Sequence, residues 1–255
     1  MWSLITGFIA LVFLSLPAQS VETATYFRAW QGFKTPTLTD TQFLRELAPF
    51  MRETVDLYQG RALNNYIVII PPAGKPSFVP DEFALVALSS KEAYQAIRAK
   101  PEGERYSARH WDVFDRSNSK SADPMVNFAQ EKPSKLAHNH SYDVIGKPID
   151  WSKGRTMVYV GLRKQNLSAD AFLTGLARHL NIVKHRIQPK GLLGYIVIAN
   201  ENYEVAFMNW EDQPAQDPRV TADAANLLDG LMYQEARPFQ AGDSVQVKSA
   251  YSTLF

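Results

Sequence analysis

Hydrophobic and polar positions alternate between two periods along the chain. Residues 26–34 and 157–163 are rich in aromatic and β-branched side chains and read as strands. Each is followed by a helix-start signal. Thr39 with Gln42 three positions on forms a capping box, and Ser168 stands at the equivalent N-cap. Apolar residues then recur at helical spacing: Phe43, Leu47, Phe50, Met51, Thr54 and Tyr58 in one segment, Phe172, Leu176, Leu180, Val183 and Ile187 in the other. Residues 66–70 and 195–199 read as the next strands and 83–88 and 203–210 as the ones after, with only Asn200, Glu201 and Asn202 turning the second hairpin. A second helix is predicted over 90–100, capped by Ser90, and over 221–232 behind Pro218. Closing strands are predicted over 110–114 and 236–247.

The two series are one pattern written twice. Leu38-Thr39-Asp40-Thr41-Gln42-Phe43-Leu44 recurs as Leu167-Ser168-Ala169-Asp170-Ala171-Phe172-Leu173, and Tyr66-Ile67-Val68-Ile69 as Tyr195-Ile196-Val197-Ile198, both 129 residues on. Past the Pro71-Pro72 loop the spacing shortens to 122, pairing Glu82-Phe83-Ala84-Leu85 with Glu204-Val205-Ala206-Phe207. A loop rich in Pro and Gly tolerates such a surplus. The element order β-α-β-β-α-β is that of a ferredoxin-like unit, so an α+β fold of two tandem ferredoxin-like repeats is expected.

Two such halves resemble the dimeric α/β-barrel superfamily fused as a pseudo-dimer, a group that includes antibiotic-biosynthesis-monooxygenase-like, EthD-like and chlorite-dismutase-like proteins. The resemblance spans 26–247 apart from the central segment and rests on element order and the repeat. It implies a pseudo-dimeric α+β barrel. It carries across no functional residue, because no family motif is present to match position by position.

Composition narrows the setting. Near balance of 27 Lys+Arg against 26 Asp+Glu lacks the basic excess that phosphate neutralisation needs, which argues against nucleic acid as a partner. Residues 2–16 carry no charge, Pro17 breaks the apolar run, and Ala18 and Ser20 supply a small-residue cleavage pattern. Residues 1–20 therefore read as an export signal, too short for a stable membrane span, and the protein as periplasmic or extracellular. With no cysteine, an exported chain relies on burial alone for stability. The expected organisation is a first repeat over 21–115, a linker or covering segment over 116–154 and a second repeat with its tail over 155–255. From His138 onward the central segment is expected to lie ordered across a barrel end or along a sheet edge.

Candidate chemistry is sparse. His110 and Asp112, on a predicted strand, would share a face as a base and its orienting carboxylate. His179 takes the place of Phe50 in the second repeat and puts an imidazole on an apolar helix stripe, where burial demands a partner or a ligand. His138 and His140 flank Asn139 and on extended backbone would point to one side, as a metal site completed from elsewhere requires. Trp30 and Tyr159, equivalent strand aromatics, and Arg109 are the candidate ligand contacts. Serine-nucleophile, phosphate-loop, dinucleotide, zinc-protease and EF-hand motifs are all absent, and no cofactor is specified. The expected function is binding of a small apolar or aromatic ligand between the two sheets. The alternatives are a cofactor-poor monooxygenase or isomerase using an interior histidine, and an envelope scaffold with no ligand.

Overall fold

The computed structural model describes residues 23–71, 74–122, 125–211 and 217–236. The expected export signal and the last 19 residues lie outside them, and no helix among the described residues is long and apolar enough to cross a membrane.

The chain begins with strand β1 (Tyr26–Gly32) and helix α1 (Asp40–Tyr58). The Thr39 capping box is closed in both directions: its hydroxyl accepts from the Gln42 backbone N–H, and the Gln42 side chain accepts from the Thr39 N–H. Strands β2 (Leu63–Ile69) and β3 (Glu82–Leu88) follow, then helices α2 (Lys91–Arg98) and α3 (Pro101–Val113) and a short strand β4 (Lys120–Ala122). These form a four-stranded sheet in the order β2-β3-β1-β4. Two expectations fail here. Residues 110–114 lie at the end of a helix, because Pro101 opens a helix at its first position instead of stopping one. The closing strand falls at β4, inside the segment expected to be linker.

The central segment continues with β5 (Met125–Asn127), the single-turn α4 (Phe128–Glu131) and β6 (His140–Asp143). Strand β6 pairs antiparallel with β8 (Leu192–Ala199), and β5 pairs parallel with β6, so this stretch extends the edge of a second sheet. Its apolar side chains Phe128, Leu136, Tyr142, Val144, Ile145 and Trp151 are all buried. The rest of that sheet comes from β7 (Arg155–Arg163), β9 (Tyr203–Trp210) and β10 (Leu228–Ala236), with helices α5 (Ala169–Arg186) and α6 (Pro218–Leu227); the full order is β10-β7-β9-β8-β6-β5. Helix α6 ends earlier than expected and β10 starts at once; the strand expected over 236–247 lies, apart from Ala236, outside the described residues.

Strand alternation puts the two sheets face to face. Ala29, Ile67, Ile69, Phe83 and Leu85 from the first meet Val158, Val160, Ile196, Ile198 and Phe207 from the second in a dry layer. Across it the Tyr203 hydroxyl donates to Gln31 Oε1 at 2.6 Å, both groups buried. The opposite face of each sheet carries its own helices. Ser141 on β6 reaches the Ala122 carbonyl of β4 at 3.4 Å, and β10 approaches β2 at the other seam, yet among the described residues no ladder joins the sheets. The architecture is therefore two open sheets packed as a sandwich with outer helices, in place of the expected closed barrel.

Candidate functional site

Buried apolar side chains of both sheets pack against one another in the layer where the ligand was expected. A cavity of about 410 Å3 lies instead on the outer side of the first sheet, beneath helices α1, α2 and α3. Its floor is the helix-facing set of strand positions, Arg28 and Trp30 on β1, Tyr66 on β2, and Glu82, Ala84 and Val86 on β3. Small side chains at Ala84 and Val86 leave the space. Gly32 ends β1 beside Trp30: a Cβ there would stand 2.5 Å from the Phe114 ring and 2.7 Å from Trp30 Nε1, so only glycine lets both aromatics approach the strand.

The roof is supplied by Phe50, Thr54 and Tyr58 from α1, Tyr94 and Arg98 from α2, and the α3 face that carries Tyr106 and His110. Phe50 and Tyr106 stack at 5.2 Å, and both present ring edges or faces to the His110 imidazole, at 4.7 and 4.6 Å between centroids. Trp30 meets the same imidazole edge-on at 5.5 Å. The Thr54 hydroxyl donates to the Phe50 carbonyl at 3.0 Å, which uses its only hydrogen; the Tyr106 hydroxyl, 2.7 Å away, must therefore be the donor to Thr54.

His110 is the chemically defined group. Its Nδ1 lies 2.9 Å from the Tyr106 carbonyl, which can only accept, so Nδ1 carries the hydrogen. Burial drives its pKa down to about 4; the carbonyl contact opposes this, and the Arg98 and Arg28 charges reinforce it. At neutral pH the ring is thus uncharged, with the Nε2 lone pair as its remaining acceptor. Glu82 is the complementary group. It is wholly buried, and burial pushes its carboxyl up to about 8 although Trp30 and Tyr66 stand near enough to favour the charged form. Neither carboxyl oxygen closes a hydrogen bond of ordinary geometry. A site with a neutral base and a proton-bearing acid at pH 7 results.

The other sequence candidates are dispersed. Trp30 lines the cavity. Asp112 does not join His110, because positions two apart on a helix face different ways; it pairs with Arg109 at 3.2 Å on the outer surface. Arg109 also holds Glu46 at 3.3 Å and is not among the lining residues. Tyr159 packs in the second half's helix-side core. His179 is buried there, its Nδ1 3.0 Å from Asp223 Oδ2 across the α5–α6 contact, and Glu204 lies near it with its carboxyl pushed up by burial to about 7. His138 is engaged by the Glu201 N–H and the Asn139 amide, and His140 Nδ1 donates to the His138 carbonyl at 3.0 Å. Among the described residues no three potential ligands stand close enough to hold a metal.

Sequence reasoning passed over Glu82, Arg28 and Arg98. A signal for the first two was present: Glu82 opens an apolar strand on the core-facing parity and recurs as Glu204, and Arg28 interrupts the inward set of β1 between Tyr26 and Trp30.

No family model and no curated protein matches the chain. Among solved structures, it is similar to a "putative monooxygenase" from Lactobacillus acidophilus, with 9% identity over 84% of this chain and 92% of that one and a TM-score of 0.40. An anthrone oxidase-like protein shares 11% identity over 87% and 95%, with a TM-score of 0.36. A "putative monooxygenase" from Fusobacterium nucleatum subsp. nucleatum shares 10% over 83% and 91%, with a TM-score of 0.39. Likeness this remote assigns no chemistry to the chain.

Proposed function

We propose that the cavity under α1, α2 and α3 is the active site of an enzyme that takes a small aromatic molecule and removes a proton from it. The observation that carries this reading is His110, an imidazole held neutral and in one tautomer by burial and by the Tyr106 carbonyl, lining a cavity walled by Trp30, Phe50 and Tyr106. The rings select a flat apolar body. Nε2 accepts the proton, and a developing negative charge on the substrate supports the imidazolium that forms. Glu82, protonated at neutral pH, is placed in the same cavity to donate to the oxygen that gathers charge. Proton abstraction of this kind is the step shared by isomerases and by cofactor-poor monooxygenases.

The chain further reads as a duplicated ferredoxin-like unit in which one copy kept the site. Elements β1, α1 and β2 begin at 26, 40 and 63, and β7, α5 and β8 at 155, 169 and 192, a constant displacement of 129. Both halves place their strands in the order fourth, first, third, second. At the positions matching Arg28, Thr54 and Tyr58 the second half has Met157, Val183 and Ile187, which belong to or pack against its apolar core.

The test is deuterium incorporation from D2O into an enolisable aromatic ketone such as β-tetralone. The wild type is expected to exceed buffer, and His110→Gln to lose on the order of a hundredfold, the usual worth of a positioned base. A wild-type rate equal to buffer, or a His110→Gln rate equal to wild type, overturns the assignment.

A further inference from the structure

We propose that the cavity's ligand is an aromatic anion, a ring bearing a carboxylate or an acidic phenol, with its charge seated between Arg28 and Arg98. This deepens the active-site reading above and rests on it. Arg28 projects from β1 on the same face as Trp30, and Arg98 ends α2 one turn after Tyr94. Both guanidinium groups lie over the Tyr94 ring, at 5.4 and 6.0 Å from its centroid, so a single aromatic side chain brings two cations to one wall of the cavity. Each also stands by a hydroxyl: Arg28 donates to Ser121 on β4, and Arg98 lies near enough to Tyr58 on α1 to favour its phenolate. No carboxylate among the described residues stands within salt-bridge distance of Arg98.

The other charged groups facing this space are few. His110 is neutral, and Glu82 is the one carboxyl among the described lining residues; Lys120 follows the alternation of β4 away from the face that carries Ser121. Burial keeps Glu82 protonated at neutral pH, so it does not cancel the cations. Two guanidinium groups beside an aromatic enclosure suit a planar ligand with an oxyanion at its rim, because the fork of Arg matches two oxygens at once. The corresponding half of the molecule supports the assignment by contrast: Met157 occupies the place of Arg28 and packs against the apolar core there.

Calorimetric titration of the whole chain with three probes of one shape tests the inference: β-naphthoate, the neutral β-naphthamide and the cationic β-naphthylmethylammonium. At pH 7 β-naphthoate is expected to bind about tenfold or more tighter than β-naphthamide, the worth of one charge-assisted contact, and the cation more weakly than either. In Arg98→Gln that advantage of the acid over the amide should shrink to within about threefold. Equal binding of acid and amide by the wild type overturns the anion inference and leaves the aromatic cavity standing. Binding of none of the three overturns both. Because the acid–amide comparison is made in the wild type, it decides the matter even if Arg98→Gln fails to fold.

Discussion

Glu82 offers the sharpest test of the site's electrostatics, and replacing it by glutamine keeps its shape while removing its titration. In the folded chain its pKa is raised by burial to about 8, whereas the unfolded chain releases the same proton near 4.5. The folded state therefore binds more protons than the unfolded one between these values. The stability this group contributes is complete below about pH 4.5 and is lost as pH rises towards 8. Each unit of that interval corresponds to about 1.4 kcal/mol, so between about pH 5 and 7.5 the wild type should lose up to ~3 kcal/mol through Glu82 alone. Two other groups titrate nearby. His110, lowered to about 4, contributes stability present above about 6.5 and lost as pH falls, and Glu204, raised to about 7, behaves as Glu82 does. Both are common to the two proteins, so the difference between wild type and Glu82→Gln isolates the one carboxyl. Urea unfolding at several pH values measures it. The Glu82→Gln curve should lie furthest above wild type near pH 8 and approach it, or fall below, near pH 5. A difference constant to within about 0.5 kcal/mol across that range would mean the carboxyl is ionised in the folded chain, and the acid role assigned to it would be lost.

Phe43 is buried at the start of α1 against Phe114, so Phe43→Ala should cost roughly 3–5 kcal/mol in chemical denaturation; a loss below about 1 kcal/mol would show that the helix does not dock as described. The double change His138→Ala and His140→Ala should leave zinc titration isotherms unchanged, since both imidazoles serve local hydrogen bonds; a lost binding step in the variant would reinstate a metal site there.

The parts of the fold that the sequence announced are those in which local chemistry and tertiary demand agree. Thr39, Gln42 and Ser168 mark helix starts by hydrogen bonds made within four residues, and the periodic stripe from Phe43 to Tyr58 says which face is buried. Helix α3 was hidden because its first residue is Pro101 and its buried face is narrow, Gly103, Tyr106 and Val113, while the aromatic and β-branched run ending at Phe114 imitates a strand. That misreading put His110 beside Asp112; the helix instead turns it toward Tyr106 and Phe50. The cavity was illegible for a different reason. An empty space is a property of what three helices fail to fill, and Ala84 and Val86 look the same in a sequence whether a neighbour covers them or not. Burial of Glu82 and the convergence of Arg28 and Arg98 on Tyr94 likewise depend on elements up to 70 residues apart.

The dry layer between the sheets binds the fates of the two halves. Ile67, Phe83 and Leu85 share one buried cluster with Ile196, Ile198 and Phe207, so either half expressed alone would present a broad greasy face to water. Cutting the chain between Ala122 and Met125 should therefore yield two fragments that are poorly soluble apart and that recover a shared fold when mixed. Heat or denaturant should likewise dismantle the intact protein in one cooperative step, although the cavity and His110 both lie in the first half.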